Sequence, residues 1–332
     1  MVAFRGKRVV VSGGAGFVGS TLVRELLSDG AKVTVYDNFL HGHRQNLDEI
    51  ADQITIVPGD VLDEWKFLDA ITDSHAEYLF HCVGDTYVPT AYDVPKRFFR
   101  INVEGTLNAL QLTKRAGLKR MLYVSSTEVY GEALEPKIDE KHPLDPLNTY
   151  AVSKLAADRL CYTAHLEHEI PVVTARIFNA YGPRETEPYV VPEIIAQADR
   201  SDTIYLGNLK ARRDFTYVQD TARGLMAVMA SKVPNGVAVN VGSERAYSVQ
   251  ELAERILRIM GKQSARIKVD QRRLRRKDIQ LFNCDASYLR KMTGWTPKIS
   301  LDDGLRRTVD WFVAHGRRWS WEDFVNGTLM YR

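Results

Sequence analysis

Tyr150 and Lys154, in the run YAVSK, are the sharpest candidates for chemistry in this chain. A spacing of four puts the phenol and the ammonium on one helix face, a turn apart. A phenol with an ordinary pKa of about 10 is a poor base at neutral pH, but a neighbouring cation stabilises the phenolate and makes it usable. A second group is SGGAGFVGS, residues 12–20, which contains Gly14-x-Gly16-x-x-Gly19 and also Gly13-x-x-Gly16-x-x-Gly19. Such glycines permit a tight turn and let the backbone approach a pyrophosphate, whose charge a helix N-terminus favours. Asp37, in VTVYDN, can accept both hydroxyls of an adenosine ribose and would repel a 2′-phosphate, which favours NAD over NADP. His43 and Arg44 on the following loop leave that preference open. The third group is SSTEVYG, residues 125–131, where Ser126 and Thr127 offer hydroxyls beside the Glu128 carboxylate.

These groups need elements to hold them. RVVVS (8–12) is a β-branched run that ends at the glycines, and FVGSTLVRELLSDG (17–30) has apolar positions at helical spacing with Gly30 as a stop. Further strands are expected at 31–37, 54–60, 77–84, 118–126 and 170–179, with helical stretches at 95–117 and 147–169. Strand alternating with helix predicts an α/β fold with a doubly wound parallel sheet of the Rossmann type. SSTEVYG then falls at a strand's carboxyl end, where open sheets of this kind hold ligands. After residue 180 the rhythm loosens. YGPRETEPYVVP (181–192) is rich in turn formers, and helices are expected at 219–231, 248–260, 285–292 and 301–314. The expected division is a dinucleotide-binding domain over 1–180 and a smaller substrate-binding α/β lobe, mainly 181–332, interleaved with it.

Composition narrows the function class. The 332 residues are 45% hydrophobic and 26% charged, ordinary globular usage. Forty-five basic against 42 acidic residues leave a net charge of +3, too slight for a nucleic-acid or membrane-surface protein. The basic run RRLRRK (272–277) is too short to change that, and no stretch approaches a membrane span. Cys82, Cys161 and Cys284 are too few and scattered for a disulfide framework, so a cytoplasmic setting is expected. Eight histidines form no ligand spacing, so no metal is expected; His165 and His168 read as surface or packing residues. Trp311, Trp319 and Trp321 read as packing for the last helix and tail.

The motifs in order, SGGAGFVGS, YDN (36–38), GDVLD (59–63), NVEGTLNAL (102–110), SSTEVYG, YAVSK, ARIFNAYGPR (175–184), ARRDFTYVQD (211–220) and GWTPKISLDDGL (294–305), resemble the extended short-chain dehydrogenase/reductase family, in its sugar-nucleotide epimerase/dehydratase branch. The resemblance implies an enzyme with NAD as cofactor and a nucleotide sugar as substrate. It places Gly13, Gly16, Phe17, Val18, Asp37 and Asn38 on the cofactor, Asp60 and Val61 at the adenine, and Gly84 and Ser125 farther along the dinucleotide. The fourth-strand loop departs from the family pattern, reading HCVG where HLAA is usual. Ser126, Thr127, Glu128, Tyr150 and Lys154 fall on catalytic positions, the last two also on cofactor contacts. Thr86 and Asn179 fall on substrate contacts, and Arg213 and Arg275 on arginines that hold a nucleotide's pyrophosphate, for which a rigid fork of donors is suited.

In the family as resembled, the sugar is first oxidised at carbon 4, with Tyr150 the base. Dehydratases then use a carboxylate to remove the carbon-5 proton, and Glu128 sits at that position. Glucose-type 4,6-dehydratases resemble Asp-Glu here, whereas Thr127 matches those acting on GDP-mannose or UDP-N-acetyl sugars. The leading expectation is a nucleotide-sugar 4,6-dehydratase. UDP-glucuronate decarboxylases also carry a glutamate there, and 4-epimerases, which have small or hydroxyl residues before VYG, remain an alternative. A non-catalytic NAD-binding regulator is the alternative of another class, disfavoured because Ser126, Tyr150 and Lys154 are all present. The apolar faces of 95–117 and 147–169 are broad, and the resemblance, in which two such helices pair with their copies, implies a homodimer.

Overall fold

In the computed structural model, residues 3–315 apart from 276 are described. Trp319 and Trp321 lie outside them, as does the end of the smaller lobe. Six strands alternate with helices through the first half: β1 (Arg8–Ser12), β2 (Lys32–Asp37), β3 (Thr55–Pro58), β4 (Tyr78–His81), β5 (Arg120–Ser126) and β6 (Val172–Ile177). A later strand, Ala238–Val241, completes a seven-stranded sheet by pairing with β6. The order is Ala238–Val241, β6, β5, β4, β1, β2, β3, and every pairing is parallel.

A parallel sheet is buried on both faces, and β1 shows why its residues suit it. Val9 and Val11 face one core with Leu22 and Leu26 of α1 (Phe17–Ser28). Val10, between them, faces the opposite core with Phe67 of α2 (Glu64–Asp73), among others. The helix of Val218–Ala230 packs on the α1 side and contributes Ala222 and Leu225. The chain therefore re-enters the first half after building part of the second.

The stretch expected as one helix over 95–117 is instead broken in pitch. Regular helix at Pro95–Phe99 passes into a π-helical turn, Arg100–Glu104, and then into Gly105–Arg115. The wide turn presents Asn102 inward. Its Oδ1 accepts from the Asp85 backbone N–H (2.8 Å), while its Nδ2 donates to the Asp85 carbonyl (3.0 Å) and to Ser153 Oγ (2.8 Å). The loop after β4 is thereby fixed against the helix that carries Tyr150 and Lys154. The smaller lobe gathers Arg212–Tyr217, Asn179–Tyr181, Ala246–Ser248 and Leu281–Phe282 into a second sheet, and pairs Thr203–Leu206 with Arg266–Val269. Trp311 packs against its core, in the helix Leu301–His315. Among the described residues, no helix is long and apolar enough to cross a membrane.

Candidate active site

One groove of about 990 Å³ runs over the carboxyl ends of the main-sheet strands and is closed on its far side by the smaller lobe. Its first wall is the glycine turn. Gly13 has φ of 75°, and a Cβ there would stand 2.8 Å from the Val83 nitrogen. A Cβ on Gly19 would stand 2.0 Å from the Gly13 carbonyl oxygen, so α1 can begin this close to β1 only with glycine. Gly16 caps α1 with extended backbone, which leaves the first-turn N–H groups, near Phe17 and Val18, facing the groove. Asp37 Oδ2 accepts from Ala15 N (2.9 Å) and Oδ1 from Phe39 N (2.8 Å), so its carboxylate is fixed beside the turn. Asn38 Nδ2 donates to Asp60 Oδ2 (2.9 Å), and buried Val61 accepts through its carbonyl from Asn108 (3.0 Å). Arg44 lies over the Phe39 ring, 5.5 Å from its centroid. The cradle that a Cβ would fill, the anchored carboxylate and the helix start together fit a dinucleotide.

The groups expected to transfer protons stand farther along. Asn148 caps the helix Thr149–His168 through Ala151 N (2.8 Å), which starts the helix so that Tyr150 and Lys154 project from its first turns. Lys154 is fully buried; its ammonium donates to the Val124 carbonyl (2.7 Å) and stands 4.4 Å above the Tyr123 ring. Burial pushes it down to about 8, against the pull of Cys161, Asp158 and Cys82. Gly84 borders it: a Cβ there would lie 3.6 Å from Nζ. The sequence led us to expect a phenol lowered by this lysine. In the structure burial raises Tyr150, with Glu128 adding to the rise and the Ser126 hydroxyl opposing it, because desolvation of a phenolate outweighs the nearby donors.

Glu128 lines the same groove and is oriented by a residue that the sequence reading did not single out. Asn148 Nδ2 donates to Glu128 Oε2 (2.9 Å), while Arg275 Nη1 stands 4.0 Å from Oε1. The asparagine thus serves a helix cap and a carboxylate at once; its place two residues before Tyr150 was the available helix-start signal. Ser126 Oγ accepts from the Glu128 backbone N–H (3.2 Å). Ser125 Oγ, Thr127 Oγ1, Asn179 Oδ1 and Glu185 Oε2 are among the groove-lining polar atoms that are buried without a hydrogen-bond partner among the described residues. Buried polar groups are nearly always satisfied, so such a cluster marks where a polar ligand belongs.

Of the residues expected to contact substrate, Thr86 accepts through Oγ1 from Tyr189 OH (2.8 Å). Arg213 pairs with Asp278 (3.2 Å) and packs over Phe282; burial lowers its guanidinium from the ordinary value. Arg213 and Arg275 line the groove together. His41, Asp85, Glu185, Glu187 and Tyr189 also line or border this space and were not distinguished in the sequence. Burial raises the Glu185 carboxyl well above its usual range. Their only signal was their place in loops at the strand ends. Among the described residues, no group of three or more His, Cys, Asp or Glu side chains could hold a metal ion.

The model of a family described as GDP-mannose 4,6 dehydratase matches residues 10–308. A UDP-N-acetyl-α-D-glucosaminuronate decarboxylase of Bacillus cytotoxicus is 32% identical over 92% of this chain and 98% of its own. The crystal structure of a dTDP-glucose 4,6-dehydratase from Bacillus anthracis in complex with NAD superposes with a TM-score of 0.86 at 25% identity, covering 95% of this chain and 99% of that one. A UDP-glucose 4-epimerase of Thermotoga maritima, solved with UDP-glucose, gives 0.85 at 26% identity, covering 92% and 98%. Three reactions thus recur on one scaffold. The chain belongs to the GDP-mannose 4,6-dehydratase family, within the extended short-chain dehydrogenases/reductases that act on sugar nucleotides.

Proposed function

We propose that this enzyme is a nucleotide-sugar 4,6-dehydratase that uses Tyr150 as the base for oxidation at sugar carbon 4 and Glu128 as the base at carbon 5. NAD is its cofactor, and when bound it supplies the acceptor that takes a hydride from carbon 4 and returns it. The observation that carries the reading is Glu128 itself: a carboxylate in the groove of Tyr150, close enough to raise the phenol's pKa, and aimed by Asn148. Proton removal next to a keto group needs such a base; an epimerase, which turns the keto sugar over, does not.

Residues 1–180 would bind the dinucleotide through Gly13, Gly16, Phe17, Val18, Asp37, Asn38, Asp60, Val61, Gly84 and Ser125. Tyr150 and Lys154 would also touch it. Residues 181–332 would mainly hold the nucleotide sugar, with Arg213 and Arg275 on its pyrophosphate and Asn179, with Thr86 of the first half, near the sugar. Ser126 and Thr127 would hydrogen-bond the reacting hydroxyl and keto oxygen. The exposed apolar residues Phe99, Leu107, Val152, Tyr162 and Leu166, on the helices Pro95–Phe99, Gly105–Arg115 and Thr149–His168, support pairing of two copies as a homodimer. Three free cysteines support a cytoplasmic setting.

One observation favours a second reading. Arg275 near Glu128 is a cation where a sugar carboxylate could be met, and a uronate decarboxylase is among the relatives. Mass spectrometry of enzyme incubated with NAD and a panel of UDP-, dTDP- and GDP-sugars, including UDP-glucuronate, separates the readings. Dehydration removes water from the product mass, and decarboxylation removes carbon dioxide. An unchanged mass with a new chromatographic peak means epimerisation and overturns both. With a dehydrated product in hand, Glu128→Gln should lose it while still oxidising carbon 4; unchanged elimination would make Glu128 structural.

A further inference from the structure

His41 occupies a place that sheet topology makes unusual. In the order β4, β1, β2, the strand β1 lies between the other two. His41 follows β2 and Asp85 follows β4, so a contact between them must pass over the carboxyl end of β1, where the glycine turn begins. That contact exists: His41 Nε2 stands 3.2 Å from Asp85 Oδ1, an ion pair whose geometry falls short of a straight hydrogen bond. The other ring nitrogen, Nδ1, meets Glu187 Oε1 of the smaller lobe at 2.8 Å. Both carboxylates are buried, and carboxylates only accept, so the ring serves them as an imidazolium.

The surroundings hold this imidazole in place. Gly42 is pressed on the glycine turn so closely that a Cβ there would stand 2.9 Å from the Ala15 Cβ and 3.0 Å from Asp37 Oδ1. His43 N donates to the Ala15 carbonyl (3.1 Å). Asp85 is braced from behind by Arg97 through Nε (2.5 Å) and Nη2 (3.2 Å). Segment 184–189 is tied to the first half at two further points, Arg184 to Thr21 of α1 (3.4 Å) and Tyr189 to Thr86 (2.8 Å). Without a cation between them, Asp85 and Glu187 would present like charges to each other.

We propose that His41 is a positioning residue that straps the dinucleotide into its groove, joining Asp85 to Glu187 across the glycine turn so that cofactor leaves only when this contact opens. The inference rests on NAD occupying the groove and not on which reaction follows. A reaction that removes a hydride and returns it needs the same dinucleotide at both steps, and a strap serves that need without touching the sugar. Neither His41 nor Glu187 is asked to transfer a proton.

The test follows cofactor exchange rather than turnover. Enzyme loaded with NAD and freed of excess is mixed with a large excess of fluorescent 1,N6-etheno-NAD, and uptake is timed for wild type, His41→Ala, Glu187→Ala and the double variant. Each single variant should exchange at least about tenfold faster, the range in which loss of one member of a buried ion pair alters dissociation. The double variant should be no more than about twofold faster than His41→Ala, since one contact can be broken only once. Exchange within about twofold of wild type in a folded His41→Ala overturns the strap. So does a double variant whose rate multiplies the two single effects, because general loosening would act that way. If His41→Ala does not fold, His41→Gln, which keeps one donor, should exchange at an intermediate rate, and a wild-type rate for it is equally fatal.

Discussion

The two ends of the groove are built by opposite means. At the end proposed for the cofactor the ligand-facing surface is mostly backbone: Gly13, Gly16 and Gly19 bring main chain to main chain, and the Asp37 carboxylate beside them is tied down at both oxygens. At the end proposed for the sugar the surface is side chain. Glu128, Glu185, Glu187, Glu193, Arg213 and Arg275 line it, drawn from loops far apart in the chain. Several of its polar atoms, Thr127 Oγ1 and Asn179 Oδ1 among them, have no partner within the protein. Backbone geometry can serve one ligand across many enzymes, whereas a side-chain surface can be rewritten residue by residue. The three reactions of the relatives fit that division, since they share a scaffold and differ in what happens to the sugar.

The sharpest break between the ends is Tyr150→Phe. Removing the phenolic oxygen should lower kcat by about a thousandfold, within the range for loss of a general base. NAD content of the purified enzyme, read from absorbance and mass, should stay at the wild-type level. Turnover within a few fold of wild type would remove Tyr150 from the chemistry. Gly19→Ala is the converse. Its methyl would collide with the Gly13 carbonyl, and overpacking of about 1–3 kcal/mol should weaken NAD binding roughly ten- to hundredfold by calorimetry. Undiminished affinity would mean that the turn yields, and that backbone fit is not what holds the cofactor.

Asn148→Ser probes the sugar end more gently. Serine keeps a capping oxygen for Ala151 N but loses the donor to Glu128 Oε2. A hydrogen bond to a charged group contributes about 1.5–3 kcal/mol, so elimination should slow by roughly tenfold or more. Thermal stability should hold, whereas Asn148→Ala should lose the cap as well, about 1 kcal/mol. A Ser variant that eliminates at the wild-type rate would show that Asn148 does not orient the carboxylate.

The same division explains what could be read beforehand. The Rossmann-type sheet, the glycine turn and the Tyr150–Lys154 pair are local patterns, and β1, β2 and β5 appear where short apolar runs end in glycine, acid or serine. The π-helical turn at Arg100–Glu104 was not legible, because it exists to turn Asn102 toward the Asp85 backbone, a partner in another element. His41 was passed over for the same reason: nothing in LHGHR says that one imidazole will meet two carboxylates separated by a hundred residues. The direction of the Tyr150 shift also needed three dimensions, since spacing reports the lysine but not the burial that opposes it.

The smallest expected effect concerns pH at the seam between the ends. Burial lowers His41, but Asp85 and Glu187 more than offset it and raise the imidazole to about 9. The groups acting on it are Asp85, itself held below its ordinary value with help from Arg97, Glu187, and Asp37, whose carboxyl it stabilises in the charged form. A raised histidine pKa means that the closed form binds a proton that the open form gives up. The contribution to closure is therefore complete below the ordinary imidazole value of about 6.5 and is lost as pH rises through about 9. NAD exchange in the wild type should be slow and flat below about pH 6.5, quicken by several fold between there and about pH 9, and level off above it. His41→Gln, with no titrating ring, should exchange at one intermediate rate over the same interval. A wild-type rise that persists in the Gln variant would assign the titration to another group, with Lys154, lowered to about 8 and bordering Gly84, the first to examine.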